Sequence, residues 1–444
     1  MTLRDAALAI FHAGLRAGEV GSLLRQAVRF DGRRLGVGSA DFDLTRSHRL
    51  LVLGAGKASG AMAQALEELL EDRIADGLVV VKDGYRAPTR RVRVVEAGHP
   101  IPDGRGATAA RELLALARSA GEADLVVVLI SGGGSALAPA PVPPITLGEK
   151  QTLTRQLLEG GATIDELNAV RKHCSLLKGG QLAKAAAPAP VVSLILSDVI
   201  GDRLDVIASG PTAPDETTYA SALAVLDRFG LREHAPASVE RHLERGARGE
   251  VPETPEAGDP VFRRVTNHLI GSNRLVVEAA EAKARELGFH TWVLTGSLRG
   301  EAGEAAGHFA DLARQVQSTG QPVSRPGCVI AGGETTVTVR GKGKGGRCQE
   351  FCLASALKLD GLPEVVVLAA GTDGTDGPTE AAGAIADGRT LGRAAEKGLD
   401  ARTSLAANDS FGFFAALGDL VHTGPTRTNL LDLYLLLVGP LPSK

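Results

Sequence analysis

The sequence predicts an α/β protein of two domains, a Rossmann-like one with a mostly parallel sheet followed by a second α/β domain. Three observations carry the prediction. Short apolar runs alternate with stretches of helical period, glycine-rich turns sit directly after those runs, and one polar segment interrupts the alternation. At 444 residues the chain is also too long for one ordinary core, so two or three domains are expected.

The opening residues, Leu3 to Ala27, carry apolar positions at helical spacing. Arg49–Leu53 then reads as a buried strand, followed by a glycine turn and a helix with periodic Ala, Met and Leu. Gly77–Asp83 and Arg91–Gly98 are further strands, Ala107–Gly121 a helix, and Leu125–Ile130 a strand running into a glycine loop. The strand within Pro190–Asp202 follows. Apolar strands between amphipathic helices indicate a parallel sheet covered on both faces. Gly246–Pro260, GARGEVPETPEAGDP, is polar, rich in Pro and Gly, and without period. It is the expected linker, which places the domains at 1–245 and 261–444. Beyond it, strands are expected in His268–Asn273, His290–Ser297, Gly327–Gly341, Glu364–Gly377 and Leu433–Pro440. Thr335–Gly341, TTVTVRG, alternates more than the rest and reads as an antiparallel or edge strand.

Composition excludes several classes. Net charge is −3 with no basic tail or stripe, which argues against a nucleic-acid partner, because phosphate neutralisation needs clustered cations. Cys174, Cys328, Cys348 and Cys352 have no zinc spacing and read as reduced thiols. The N-terminus is charged throughout and lacks a cleavage region, and Leu430–Leu441 is too short for a bilayer, so a cytoplasmic protein without membrane partners is expected.

In open α/β sheets ligands bind beyond the carboxyl ends of strands, and five loops there carry chemistry. Gly54-Ala55-Gly56-Lys57-Ala58-Ser59-Gly60 joins glycines, a helix N-terminus and a lysine, a recipe for holding an anion. It lacks the Walker A spacing. It nearly fits the dinucleotide pattern GxGxxG, with Ser59 in place of the third glycine and Asp83 placed as a ribose acid. Ser131-Gly132-Gly133-Gly134-Ser135 offers a backbone nest and two hydroxyls suited to phosphate oxygens. Ser197–Asp202 and Gly371–Gly377 pack carboxylates among glycines, which suits a magnesium ion, a base for a hydroxyl, or simple turns. Gly343–Arg347 brings Arg347, whose planar fork pairs with oxyanions, while Arg340, Lys342 and Lys344 nearby also fit a solvated hairpin.

Taken in order, LGAGKASGAM, AGHPIPDGRG, SGGGSAL, LNAVRKHCSLLKGGQLA, LSDVIGDRLDVIASGPTAPD, HLIGSNRLVVEAA, GGETTVTVRGKGKGGRCQE, AAGTDGTDGPTEAAGA, ANDSFGFF and TGPTRTNLLDL resemble the class II glycerate 2-kinase family, whose C-terminal part is known as the MOFRL domain. The resemblance runs from about residue 5 to the end. It implies an active site in the interdomain cleft, with ATP and D-glycerate as substrates, 2-phosphoglycerate as product, and a divalent cation, Mg²⁺ or Mn²⁺. It places Lys57 and Arg347 in the site from opposite domains, with the three loops SGGGS, SDVIGD and GTDGTDG beside them. Four positions depart from the pattern: Cys348 stands where Asn is expected, Arg427 where Gly is, Leu431 where a polar residue is frequent, and Arg203 where an acid is common.

On this reading Lys57, Arg347 and the metal balance the charge of the transferring phosphoryl group. Gly54, Gly56 and Ser131, Gly132, Gly133, Gly134 and Ser135 hold phosphates. Asp198, or failing it Asp373, orients or deprotonates the acceptor hydroxyl, and Asp373, Asp376 and Glu334 are the metal-ligand candidates. A homodimer is a further expectation. The rival reading is an NAD(P)-dependent hydroxypyruvate reductase, resting on the near fit at Gly54–Gly60.

Overall fold

Strands covered on both faces need apolar residues at nearly every position, and the central strands of the first sheet are such runs. The computed structural model describes residues 1–440. Its first sheet comprises β1 (Leu50–Ala55), β2 (Ile74–Lys82), β3 (Val92–Ala97), β4 (Leu125–Ile130), β5 (Val191–Leu196) and β6 (Val265–Gly271). Their spatial order is β3-β2-β1-β4-β5-β6. The pairs β1–β2, β1–β4, β2–β3 and β4–β5 are all parallel. This is the doubly wound order of dinucleotide-binding folds, in which the winding reverses between β1 and β4. The loops leaving β1, β4 and β5 therefore share one edge of the sheet and flank the switch point.

Leu51, Leu53, Val126 and Val128 of this sheet form one core with Leu113 and Leu114 of helix Gly104–Arg118. A separate helical core gathers Leu153, Leu157, Val170, Tyr219, Leu226 and Leu243. It holds together the helices Leu147–Glu159, Ile164–His173, Tyr219–Arg228 and Ala237–Ala247.

The second sheet contains β7 (His290–Leu298), β8 (Gly327–Gly333), β9 (Val365–Gly371), β10 (Gly383–Asp387), β11 (Leu420–Val421) and β12 (Asp432–Val438). Its order is β7-β8-β12-β9-β10-β11. The last long strand, β12, lies in the middle and runs antiparallel to both β8 and β9. The expected strand at Thr335–Gly341 is not one. After Gly333 the chain makes only an isolated bridge, Glu301 to Thr336, and its threonines pair instead with Glu301, through Thr338 Oγ1 at 2.8 Å. Alternation there reflects one half-exposed face of a loop, not a pleat.

The chain divides into two compact units, Val20–Ile270 on one side and Met1–Glu19 with everything from Gly271 onward on the other. These limits differ from 1–245 and 261–444 for two local reasons. Helix Leu3–Ala17 packs on helix Asn273–Glu286, so closely that a Cβ on Gly14 would sit 2.9 Å from the Val276 carbonyl oxygen. The polar segment Gly246–Pro260 is docked rather than free: Thr254 is buried and its Oγ1 donates to Asp215 Oδ2 at 2.9 Å, while the Asp215 N–H donates to the Pro255 carbonyl. Among the described residues no helix is long and apolar enough to cross a membrane.

Candidate active site

The loop after β1 and the loop after β4 are built against each other, backbone to backbone. The Lys57 N–H donates to the Gly132 carbonyl at 2.8 Å, and the Ala58 N–H donates to Ser131 Oγ at 2.9 Å. Gly56 has φ +149°, and a Cβ there would lie 2.1 Å from Ser131 Oγ, so only glycine allows this approach. Gly133 takes φ +83°, and a Cβ on it would meet His99 at 2.9 Å and Lys57 Cγ at 3.5 Å. Half-buried Lys57 and His99 thus lean over the glycine nest from two sides. His99 follows β3 in the quoted stretch AGHPIP, yet sequence reasoning gave it no role. Asp198, half-buried, leaves β5 beside the same loops.

Near fit to the dinucleotide pattern does not extend to contacts. Ser59 is buried and its Oγ donates to the Leu129 carbonyl at 3.0 Å. Asp83, the would-be ribose acid, is held by both Nη atoms of Arg105 at 2.7 and 2.8 Å.

In the other unit the site elements gather where β8, β9 and β12 meet. Asp432 opens β12 and lies in register with Gly333 and Gly371, the last residues of β8 and β9. Buried Asp432 takes Arg347 in a fork, Nε at 2.6 Å and Nη2 at 2.9 Å, and Tyr434 Oη donates to it at 3.0 Å. Nη1 of Arg347 stands 2.8 Å from Glu334 Oε1. Two carboxylates on one guanidinium mean that Arg347 is not a bare cation. Its side chain is about a third exposed, and Glu334 is only half-buried beside it. Asp432 was missed because a single acid at the start of TNLLDLYLLLV reads as a strand terminus. The usable signal was an acid directly before the apolar run 433–438.

Glu334, Asp373 and Asp376, the metal-ligand candidates, each have protein partners of their own. Among the described residues no group of three His, Cys, Asp or Glu side chains is placed to hold a metal ion. Asp376 is buried, with Oδ1 accepting from the Cys348 N–H at 3.1 Å and Oδ2 from the Gln349 N–H at 2.8 Å. It therefore caps the helix Arg347–Leu359, satisfying N–H groups that the helix cannot pair internally. Burial, aided by the Asp432 charge, pushes its carboxyl up to about 7. Asp373 closes a turn, its Oδ1 accepting from the N–H and the hydroxyl of Thr375, both at 3.0 Å. Glu334 is on Arg347.

The departures from the family pattern find local explanations. Arg427 and Leu431 both adopt left-handed backbone, φ +60° and +63°, and glycine is the residue that takes this conformation without strain. Cys348 is fully buried at the start of its helix, and burial pushes its thiol well above the usual range. Arg203 turns to the surface, onto Asp165 and Asp205. Lys344 stacks 4.3 Å over Phe411 and pairs with Glu380, as a solvated segment predicts.

Comparison with known proteins agrees with this geometry. Residues 6–244 match a family described as a domain of unknown function, DUF4147, and residues 327–432 match the MOFRL family. The chain is 40% identical over 439 residues to a Pyrococcus horikoshii protein named glycerate 2-kinase, covering 99% of this chain and 98% of that one. It is 42% identical over 393 residues to a protein of Agrobacterium vitis named putative hydroxypyruvate reductase, covering 88% and 87%. A crystal structure of glycerate kinase from Thermotoga maritima matches with a TM-score of 0.86 at 39% identity, over 98% and 99% of the two chains. With a family match across more than half its length and end-to-end relatives at this identity, the chain belongs to the glycerate 2-kinase family.

Proposed function

We propose that the protein is an ATP-dependent kinase that phosphorylates O2 of D-glycerate to give 2-phosphoglycerate. The observation that carries the proposal is the interlocked pair of loops at the switch point, Gly54–Lys57 against Ser131–Ser135, in a chain of this family. Phosphoryl transfer asks a protein mainly for positioning and for positive charge where the transition state spreads negative charge. The Ser131–Ser135 nest, with Gly54 and Gly56 behind it, is the proposed phosphate cradle. Lys57, above Gly133, is the proposed charge partner of the transferring group. Arg347, pre-set by Asp432, is assigned the second positive role once Glu334 yields. Asp198 is the first candidate to orient or deprotonate the acceptor hydroxyl and Asp373 the second, because Asp376 is spent on capping a helix.

Mg²⁺ or Mn²⁺ is proposed to arrive with the nucleotide, whose phosphate oxygens are the hard donors such ions prefer. The expected result is ADP formation that requires ATP, D-glycerate and a divalent cation together, and stops in excess chelator. Equal ATP turnover with and without glycerate contradicts the proposal. The name of the Agrobacterium relative raises the reductase reading. Against it stand the buried Ser59 hydroxyl and the engagement of Asp83 by Arg105. Loss of NADH absorbance with hydroxypyruvate is its direct readout, and none is expected.

A further inference from the structure

Three cations gather behind the Ser131–Ser135 loop without a counter-ion. Lys150 comes from helix Leu147–Glu159, Arg171 from helix Ile164–His173, and Lys178 from the turn before helix Gln181–Ala186. Arg171 and Lys178 lie in the quoted stretch Leu167–Ala183, to which the proposed function assigns nothing. Neighbouring Lys172 shows how this fold treats a structural lysine: its Nζ is 3.1 Å from Asp215 and 3.5 Å from Asp205. Among the described residues, no carboxylate pairs with Lys150, Arg171 or Lys178.

The polar atoms around these cations are also left short of partners. Lys178 is buried and its Nζ donates to the Ser135 carbonyl at 3.0 Å. Lys150 Nζ is buried with no hydrogen bond, and so is Asn168 Nδ2. Asn168 Oδ1 accepts from Ser209 Oγ at 2.8 Å, and Ser209 Oγ lies 2.5 Å from Ser135 Oγ. Ser209 and its neighbour Ala208 take φ +61° and +50°, strain of the kind that collects at ligand sites. Burial, then repulsion from Lys150 and Arg171, holds Lys178 well below the usual lysine range. Burial and Arg171 bring Lys150 down to about 8. A fold that has carboxylates to hand for Lys172 but none for these three is shaped to receive negative charge from outside. Arg171 and Ser135 are only half-buried, so the cluster has an opening.

We infer that Lys150, Arg171 and Lys178, with the Asn168 amide, form an oxyanion subsite behind the phosphate cradle. It takes either the carboxylate of the hydroxy-acid substrate or a phosphoryl group of the nucleotide, so the inference rests on the proposed kinase reading. Both ligands offer the same chemistry, a compact anion with two or more oxygens matched to a guanidinium fork and ammonium donors.

The test uses the full chain with Lys178→Met and Arg171→Gln, read by titration calorimetry against inorganic phosphate, D-glycerate and ADP. Phosphate affinity should fall at least tenfold in both variants. D-glycerate or ADP should weaken about thirtyfold or more, and whichever does so names the source of the oxyanion. Loss of both, with the thermal midpoint unchanged, assigns both to the subsite. Affinities for D-glycerate and ADP within threefold of the parent overturn the inference, and if phosphate alone is lost the cluster holds an adventitious ion only. Lys178→Met removes a buried charge and should fold. If it does not, half-buried Arg171→Gln carries the same test. These titrations need no turnover, so an inactive parent with weakened variants sinks the kinase reading alone, and an active parent with unaffected variants sinks the subsite alone.

Discussion

Lys57→Ala is expected to lower kcat about a hundred- to a thousand-fold, which corresponds to the ~3–4 kcal/mol that one well-placed charge contributes to a transition state. Stability should change by no more than about 0.5 kcal/mol, because the side chain is half-buried on a loop and the backbone N–H that bonds Gly132 is kept by alanine. A kinetic loss without a thermal one separates a role in chemistry from a role in packing. If kcat stays near normal, Lys57 leaves the mechanism.

Asp432→Asn should behave differently, losing both activity and stability. The amide keeps one acceptor oxygen but not the charge that holds the Arg347 fork, and it leaves a guanidinium beside Glu334 alone. Breaking a buried pair costs about 3–5 kcal/mol, and because Arg347 is a third exposed the lower end, roughly 3 kcal/mol, is expected. The rate should fall at least tenfold, through misplacement of Arg347. Arg347→Ala should lower kcat about a hundred- to a thousand-fold, as Lys57→Ala does. Chemical denaturation alongside kcat reads both effects. An Asp432→Asn enzyme of normal rate and stability removes the positioning role.

The contrast between these two residues shows what the sequence could and could not disclose. Lys57 stood out as a lysine inside a glycine turn directly after a buried strand, and the family resemblance, not the turn by itself, assigned it a role. The parallel sheet was legible for a local reason: runs such as Leu125–Ile130 leave no solvent face. Asp432 was not, since its meaning depends on β12 inserting between β8 and β9, a pairing across about a hundred residues in one case and sixty in the other. Direction was equally hidden, because a strand buried on both faces has the same apolar run whether it pairs parallel or antiparallel. Asp376 has a contact that was hidden for a related cause. An Asp between glycines looks like a ligand, and only the arrival of the helix Arg347–Leu359 reveals it as a cap. In Gly246–Pro260 the composition reads as a linker, and the sequence could not disclose the buried contacts, such as Thr254 on Asp215, that dock the segment.

The central claim is that phosphate reaches O2 of D-glycerate, and the product itself is the most direct witness. The enzyme, ATP, Mg²⁺ and D-glycerate are incubated with enolase present and phosphoglycerate mutase absent. Phosphoenolpyruvate should accumulate at once, because enolase accepts the 2-phosphate as formed. If it appears only after the mutase is added, the product was the 3-phosphate, and the account of this site as a glycerate 2-kinase is contradicted.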